Sequence, residues 1–245
     1  MSLKEIFQVA GVDGCKAGWL VAIVEATRQS EYLFEPKRLF VAEDFAAVFS
    51  ATVDCEIICV DIPIGLSDGP PRQCDPEARR VLSPFRASSV FPPPIRPCLS
   101  AKDYKTACRI CYEYSGRKLT RQSFAIMDKI RQVDDLMTPE LQKRVREIHP
   151  EILFWALNNK KPMQYNKKKA PGRNERMKLL APIFPNIEEF VVQARKPKEV
   201  EPDDILDALV AAWTAGQAVL QKAKTLPDNP EIDSKGLKME IVYPA

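Results

Sequence analysis

The sequence predicts an α/β protein: a mixed five-stranded sheet flanked by helices, with a helical insertion at about 68–143. Three observations predict it. Apolar runs at 6–12, 19–24 and 57–61 have strand length and little polar alternation, as strands buried on both faces do. The first three strand candidates are joined by short connections and followed by a helix and a further strand, a β-β-β-α-β start. Residues 203–223 then read as a long helix, apolar on nearly every face and hence mostly buried.

Each element has its own signal. Residues 6–12 form a first strand, and Gly14 to Gly18 turn the chain into Trp19–Val24. A third strand falls around Leu39–Val41, beginning as early as Tyr32. Glu43–Ala51 is a short helix with Phe45, Val48 and Phe49 on its apolar face. Ile57–Asp61 returns as a buried strand. After a helix at 72–82, the segment from Ser83 to Pro97 carries Pro84, Pro92, Pro93, Pro94 and Pro97. A stretch so poor in backbone donors is a stiff irregular loop, neither central strand nor helix interior. Helices follow at 101–114, stopped by Gly116, and at 121–136. Val145–His149 is a fifth strand and Pro150 starts a helix behind it. A basic loop from Lys160 to Gly172 precedes a helix at 174–183, and Met239–Tyr243 reads as a terminal edge strand.

Composition bounds the class. A chain of 245 residues with 45% hydrophobic and 28% charged side chains fits a single globular domain over 1–245. A net charge of +3 excludes a histone-like polycation, so any basic surface must come from local clustering. No run approaches the ~20 apolar residues of a membrane span, and no signal-peptide layout opens the chain. Seven dispersed cysteines are an odd number in a chain large enough to need no staples, so a reducing, cytoplasmic location is expected. Cys108-x-x-Cys111 has zinc spacing but no second pair, and the sequence holds one histidine, His149. Both thiols fit an amphipathic helix with Tyr104, Ala107 and Ile110, which reads them as packed core groups.

Three acidic signals carry the chemistry. Asp13 closes the apolar run from Ile6 to Val12, Asp61 closes Ile57 to Val60, and Asp207 interrupts the last apolar helix three residues after Asp204. A carboxylate in such a setting is costly unless paired or bound to a cation. A fold that unites them makes an oxygen-rich pocket suited to Mg²⁺ or Mn²⁺. Asp13 before Gly14 also fits a simple turn, and Asp203 and Asp204 also fit the favourable first turn of a helix after Pro202. Asp207 lies one turn further in, where that explanation fades. Glu147 either faces the same sheet edge as Asp61 or pairs with nearby arginines. Glu151 reads as a helix first-turn residue, and His149 as a hydrogen-bonded structural histidine able to position a water.

Gly11-Val12-Asp13-Gly14-Cys15 with Gly18-Trp19, and Val60-Asp61-Ile62-Pro63-Ile64-Gly65-Leu66, carry a likeness to a known family: in them the sequence resembles the DUF429 family of predicted ribonuclease H-like nucleases. The likeness extends to Arg72–Asp75 with Ala78-Arg79, Ser89-Val90-Phe91-Pro92, Glu147–Glu151, and Asp203-Asp204 with Asp207-Ala208. The last helix also resembles the Asp-x-x-Asp-Ala signature of resolvase-type members of the wider superfamily. The resemblance implies a ribonuclease H-like fold and a two-ion site held by Asp13, Asp61, Asp204 and Asp207. In the hydrolytic scheme expected here Asp13 bridges the two ions, and Glu147 is a further candidate catalytic acid.

Basic groups indicate a polyanionic partner, nucleic acid or a nucleotide. Lys160, Lys161, Lys167, Lys168, Lys169, Arg173 and Arg176 fall in a stretch with one acid, Glu175. Such a cluster reads phosphate by charge alone. Arg86, Ser88, Ser89 and Arg96 in the proline-rich loop are a second phosphate-binding candidate, since a rigid loop loses little entropy on binding. The function expected is a divalent-metal-dependent phosphodiesterase. The alternatives are a non-catalytic binding module of the same fold and, against a shortage of glycine-rich phosphate loops, an actin- or sugar-kinase-like phosphotransferase.

Overall fold

The computed structural model describes residues 6–28, 34–194 and 200–245. The chain opens with β1 (Ile6–Cys15), β2 (Gly18–Thr27), β3 (Glu35–Ala42), α1 (Phe45–Ala51) and β4 (Cys55–Val60). Helices α2 (Cys74–Val81), α3 (Tyr104–Ser115), α4 (Arg121–Ala125) and α5 (Met127–Leu136) come before β5 (Val145–Glu147). Then follow α6 (Pro150–Leu157), α7 (Ala170–Leu180), α8 (Ile187–Ala194), α9 (Pro202–Val219), β6 (Ala223–Leu226) and β7 (Ile241–Pro244). The main sheet has the order β3-β2-β1-β4-β5, with β1, β2 and β3 antiparallel and β4 and β5 parallel to β1. This is the mixed α/β sheet of a ribonuclease H-like fold, as the opening pattern predicts.

The central strands lack alternation because both faces are covered. On one face Val9, Cys15, Leu20, Ala22, Val24 and Cys59 pack with α6 and α9; on the other Ala10, Val12, Trp19, Val21, Ile58 and Val60 pack with α1 and α5. Gln132 on α5 ties that helix to the sheet, accepting from Trp19 Nε1 at 2.8 Å and from the Phe45 amide at 3.2 Å. On the first face, α9 lies directly on β1. A Cβ at Gly11 would stand 2.0 Å from Ala208 O and 2.2 Å from Ala212 N, so only glycine permits this approach.

Several boundaries differ from the sequence expectation. Ile126, at φ −100° and ψ 3°, divides the predicted helix 121–136 into α4 and α5. The long helix stops at Val219, because Gln221 adopts a positive φ of 57° and turns the chain into β6. The C-terminal strand pairs antiparallel with β6 in a separate two-stranded sheet instead of forming an edge of the main one. Helix α8 has no counterpart in the sequence expectation, β5 is two residues shorter than expected, and the proposed start of β3 near Tyr32 lies outside the described residues.

Candidate metal centre

Strand register brings the first two acids together. Val12 of β1 is matched with Val60 of parallel β4, and the Asp61 amide donates to Val12 O at 3.0 Å. Asp13 and Asp61 therefore follow a matched pair at the carboxyl ends of adjacent strands. Alternation turns Asp13 to the side of Val9 and Cys15, the face on which α9 lies. Asp13 is buried, and its Oδ1 accepts from the Gly14 amide at 2.9 Å; Asp61 is half-buried. The Gly11 contact fixes the third. It seats Ala208 against β1 and so brings the preceding Asp207, fully buried, to the same strand end. Asp204 sits one turn back and accepts from the Glu201 amide at 3.0 Å, so it serves the helix start as well.

The electrostatics reflect this crowding. Burial, then the neighbouring charges of Asp61 and Asp207, hold the Asp13 carboxyl well above its usual range. Burial pushes Asp61 up to about 7, with Asp207 and Glu151 adding to the rise and Lys167 opposing it. Asp204 is raised for the same leading reason. The counter-charge is Lys167, whose Nζ lies 2.5 Å from Asp207 Oδ2 and 3.9 Å from Asp203 Oδ2. Its ammonium is raised chiefly by Asp207, with Asp13 and Asp61 contributing. The other oxygen, Asp207 Oδ1, is buried without a hydrogen-bond partner.

Asp13, Asp61 and Lys167 open onto a cleft of about 470 Å³, whose lining does not include Asp204 or Asp207. Asp13, Asp61, Glu151, His149, Lys167 and Lys168 line it together with Lys129, Gln122, Ser89 and Phe91. Lys129 donates to Gly18 O and stands 4.5 Å from the Trp19 ring centroid. The His149 Nε2 is 3.4 Å from Ser89 O, its Nδ1 has no partner, and burial lowers its pKa, so the ring is neutral near pH 7.

The structure does not bring every candidate to the acids. Glu147 pairs in register with Val60, whose side chain faces α5, so it points away from the face of Asp13. There Arg72 binds it through Nη1 and Nη2 at 2.8 Å each, bonds Asp75 as well, and holds Glu147 inside a buried ion network that borders the same cleft. Of the two roles open to Glu147, the geometry gives it the arginine partner. Arg86 donates to Met163 O and Gln164 O at 3.0 and 2.7 Å, and Arg96 grips Asp134 and Asp233. Both guanidinium groups brace the proline-rich loop. Ser89 borders the cleft; Ser88, exposed, and Lys169, the residue that precedes α7, do not. Cys111 is buried and Cys108 half-buried on α3, and all seven cysteines are free.

Sequence reasoning misses two features. Glu151 reads as a helix-start residue, yet it lines the cleft; Lys167 reads as one of a basic run, yet its ammonium sits among the acids. No sequence signal singles out Lys167 from Lys168 and Lys169. For Glu151 the available clue is its place four residues after Glu147, in the first turn of the helix that follows a buried strand.

In donor chemistry the cluster suits a hard divalent cation: all-oxygen ligands, an excess of negative charge, and a buried carboxylate oxygen with no partner. In spacing it is not closed. Among the described residues no three His, Cys, Asp or Glu side chains are set to enclose an ion as they stand. Carboxylates without a shared cation repel, and Lys167 draws Asp207 to itself.

Residues 11–232 match the family described as a protein of unknown function, DUF429. The chain belongs to the DUF429 family. No curated protein and no solved structure matches it. The matched span of this DUF429 protein contains Asp13, Asp61, Asp204 and Asp207 and ends before β7. No helix among the described residues is long and apolar enough to cross a membrane.

The raised carboxyls give a pH signature. Asp61 has an ordinary value of 3.8 and stands at about 7 in the folded protein. Between those values the unfolded chain releases a proton that the native state keeps, so stability falls as pH rises through the window. Asparagine does not titrate. In chelator, the melting temperature of Asp61→Asn minus that of the unsubstituted protein is expected to grow from pH 4 to pH 7 and level off above. A difference that stays constant across that range would contradict the burial and crowding of Asp61.

Proposed function

We propose that this DUF429 protein is a divalent-metal-dependent phosphodiesterase acting on nucleic acid or nucleotides, with Asp13, Asp61, Asp204 and Asp207 as the residues that hold Mg²⁺ or Mn²⁺. The reading rests on one observation: carboxylates from β1, from the end of β4 and from α9 crowd together at one strand edge, and buried Asp207 Oδ1 has no partner among the described residues. Bound there, a divalent ion would supply Lewis-acid polarisation and neutralise charge on a phosphate ester.

The protein's own groups set up the rest. Lys167 and Lys168 place cations at the acidic end of the cleft, which lowers the barrier a polyanion meets on approaching carboxylates. Phe91, half-buried in the cleft lining, offers a ring face for a base. Neutral His149 can hold a proton-donating or proton-accepting nitrogen toward the cleft, with Ser89 O fixing its ring. No side chain is required as a covalent nucleophile.

A second reading has one specific observation in its favour. Lys167 already neutralises Asp207, so the acids and the lysine form an internally balanced set that a non-catalytic binding module would keep. The test is cleavage of labelled single-stranded, duplex and hybrid oligonucleotides and of a dinucleotide, with Mn²⁺ or Mg²⁺ and with chelator. The phosphodiesterase reading expects cleavage that chelator stops and added metal restores. Oligonucleotide binding without cleavage of any substrate supports the binding module instead. Phosphoryl transfer from ATP to a small molecule supports neither and points to a phosphotransferase.

A further inference from the structure

Glu151 lines this cleft and, like Asp207, has a buried carboxylate oxygen with no partner among the described residues. It stands in the first turn of α6, buried, and its Oε1 accepts from Arg176 Nη2 at 2.5 Å while Oε2 has no partner. The clamp on Oε1 is itself fully buried. Arg176 donates through Nη1 to Gly172 O at 2.9 Å and Tyr165 O at 3.3 Å, and its guanidinium lies 5.3 Å from the Phe154 ring centroid. A guanidinium usually takes a carboxylate through both oxygens. Here one oxygen is gripped and the other is left over, in a residue that borders the cleft shared with Asp13, Asp61 and Lys167. A buried carboxylate oxygen left without a partner is costly, so a ligand for Oε2 is indicated.

We infer that Glu151, held in place by Arg176, is a cation ligand, and that together with Asp61 it forms a second divalent-cation position in the cleft. This rests on the reading of the acidic cluster as a metal site. Asp61 links the two positions: it follows the matched pair Val12–Val60 beside Asp13, and it lines the same cleft as Glu151. Asp13 and Asp207 then hold one hard ion, Glu151 a second, and Asp61 lies between. Arg176 is a positioning residue, since it fixes the rotamer of Glu151 without reaching the cleft.

The probe is Mn²⁺ alone, titrated into the full chain and followed by the paramagnetic resonance of the free ion. Two ions per chain are expected for the unsubstituted protein. Glu151→Gln, which preserves shape and removes charge, is expected to keep one and to weaken the other at least tenfold. Glu151→Asp, which keeps the charge on a shorter arm, should fall between them and serves if the amide variant does not fold. Two ions with affinities unchanged in Glu151→Gln, or in Glu151→Asp where that variant stands in, would overturn the role of Glu151, as would a stoichiometry of one in the unsubstituted chain; either result leaves the Asp13 site intact. No Mn²⁺ binding at all would instead remove the metal reading on which both depend.

Discussion

Gly11→Ala is expected to lower stability by about 3 kcal/mol, which for a chain of this size lowers the melting temperature by roughly 6–12 °C. The added Cβ meets Ala208 O at 2.0 Å and Ala212 N at 2.2 Å, and both are backbone atoms of α9 that no rotamer change can move. Helix α9 must retreat by about 1 Å to reach the 3.0 Å limit of real contacts. It carries Asp204 and Asp207 with it, so the same substitution is expected to weaken Mn²⁺ binding although residue 11 bears no ligand. A thermal melt with a Mn²⁺ titration checks both parts. An unchanged melt would mean that α9 does not rest on β1 as described, and a lowered melt with unchanged affinity would free the site from that contact.

Asp13→Asn is expected to separate stability from metal response in the opposite direction. In the unsubstituted protein a divalent ion that binds the native state alone adds roughly 2.7 kcal/mol at a hundredfold excess over Kd, or roughly 5–11 °C in melting temperature. The amide removes the charge that burial, Asp61 and Asp207 all oppose, so the variant should melt at or above the unsubstituted protein in chelator. It should gain little from Mg²⁺ or Mn²⁺, and metal-dependent cleavage should be lost. A variant strongly destabilised in chelator, with a normal metal response, would make Asp13 a structural hydrogen-bonding residue of the β1–β2 turn.

Much of the sheet is legible in the sequence because its signals are local. Unbroken apolar runs mark strands covered on both faces, and Pro150 and Gly116 mark the start of α6 and the end of α3. The reversal at Gln221 and the break at Ile126 carry no such signal, since neither residue is a glycine or proline. The acids are visible as charges inside apolar segments, which is why Asp13, Asp61 and Asp207 can be named together. Their counter-charge is not. Asp207 looks unpartnered in sequence, and its pairing with Lys167 depends on how the loop before α7 folds back. Gly172 permits that fold, since a Cβ there would stand 2.1 Å from Asn166 O. Glu147 shows the reverse limit. Alternation along β5 is readable, but its face relative to Asp13 depends on the Val60–Glu147 register, which the sequence does not state.

The most direct measurement is an anomalous difference map from crystals of the full chain soaked in Mn²⁺. The expected result is a peak about 2 Å from oxygens of Asp13 and of Asp61 or Asp207, the ligand distance of a hard six-coordinate ion, with Lys167 Nζ displaced from Asp207. A map without a peak at that strand edge, with Lys167 still on Asp207 at millimolar Mn²⁺, would contradict the reading of these carboxylates as a metal centre.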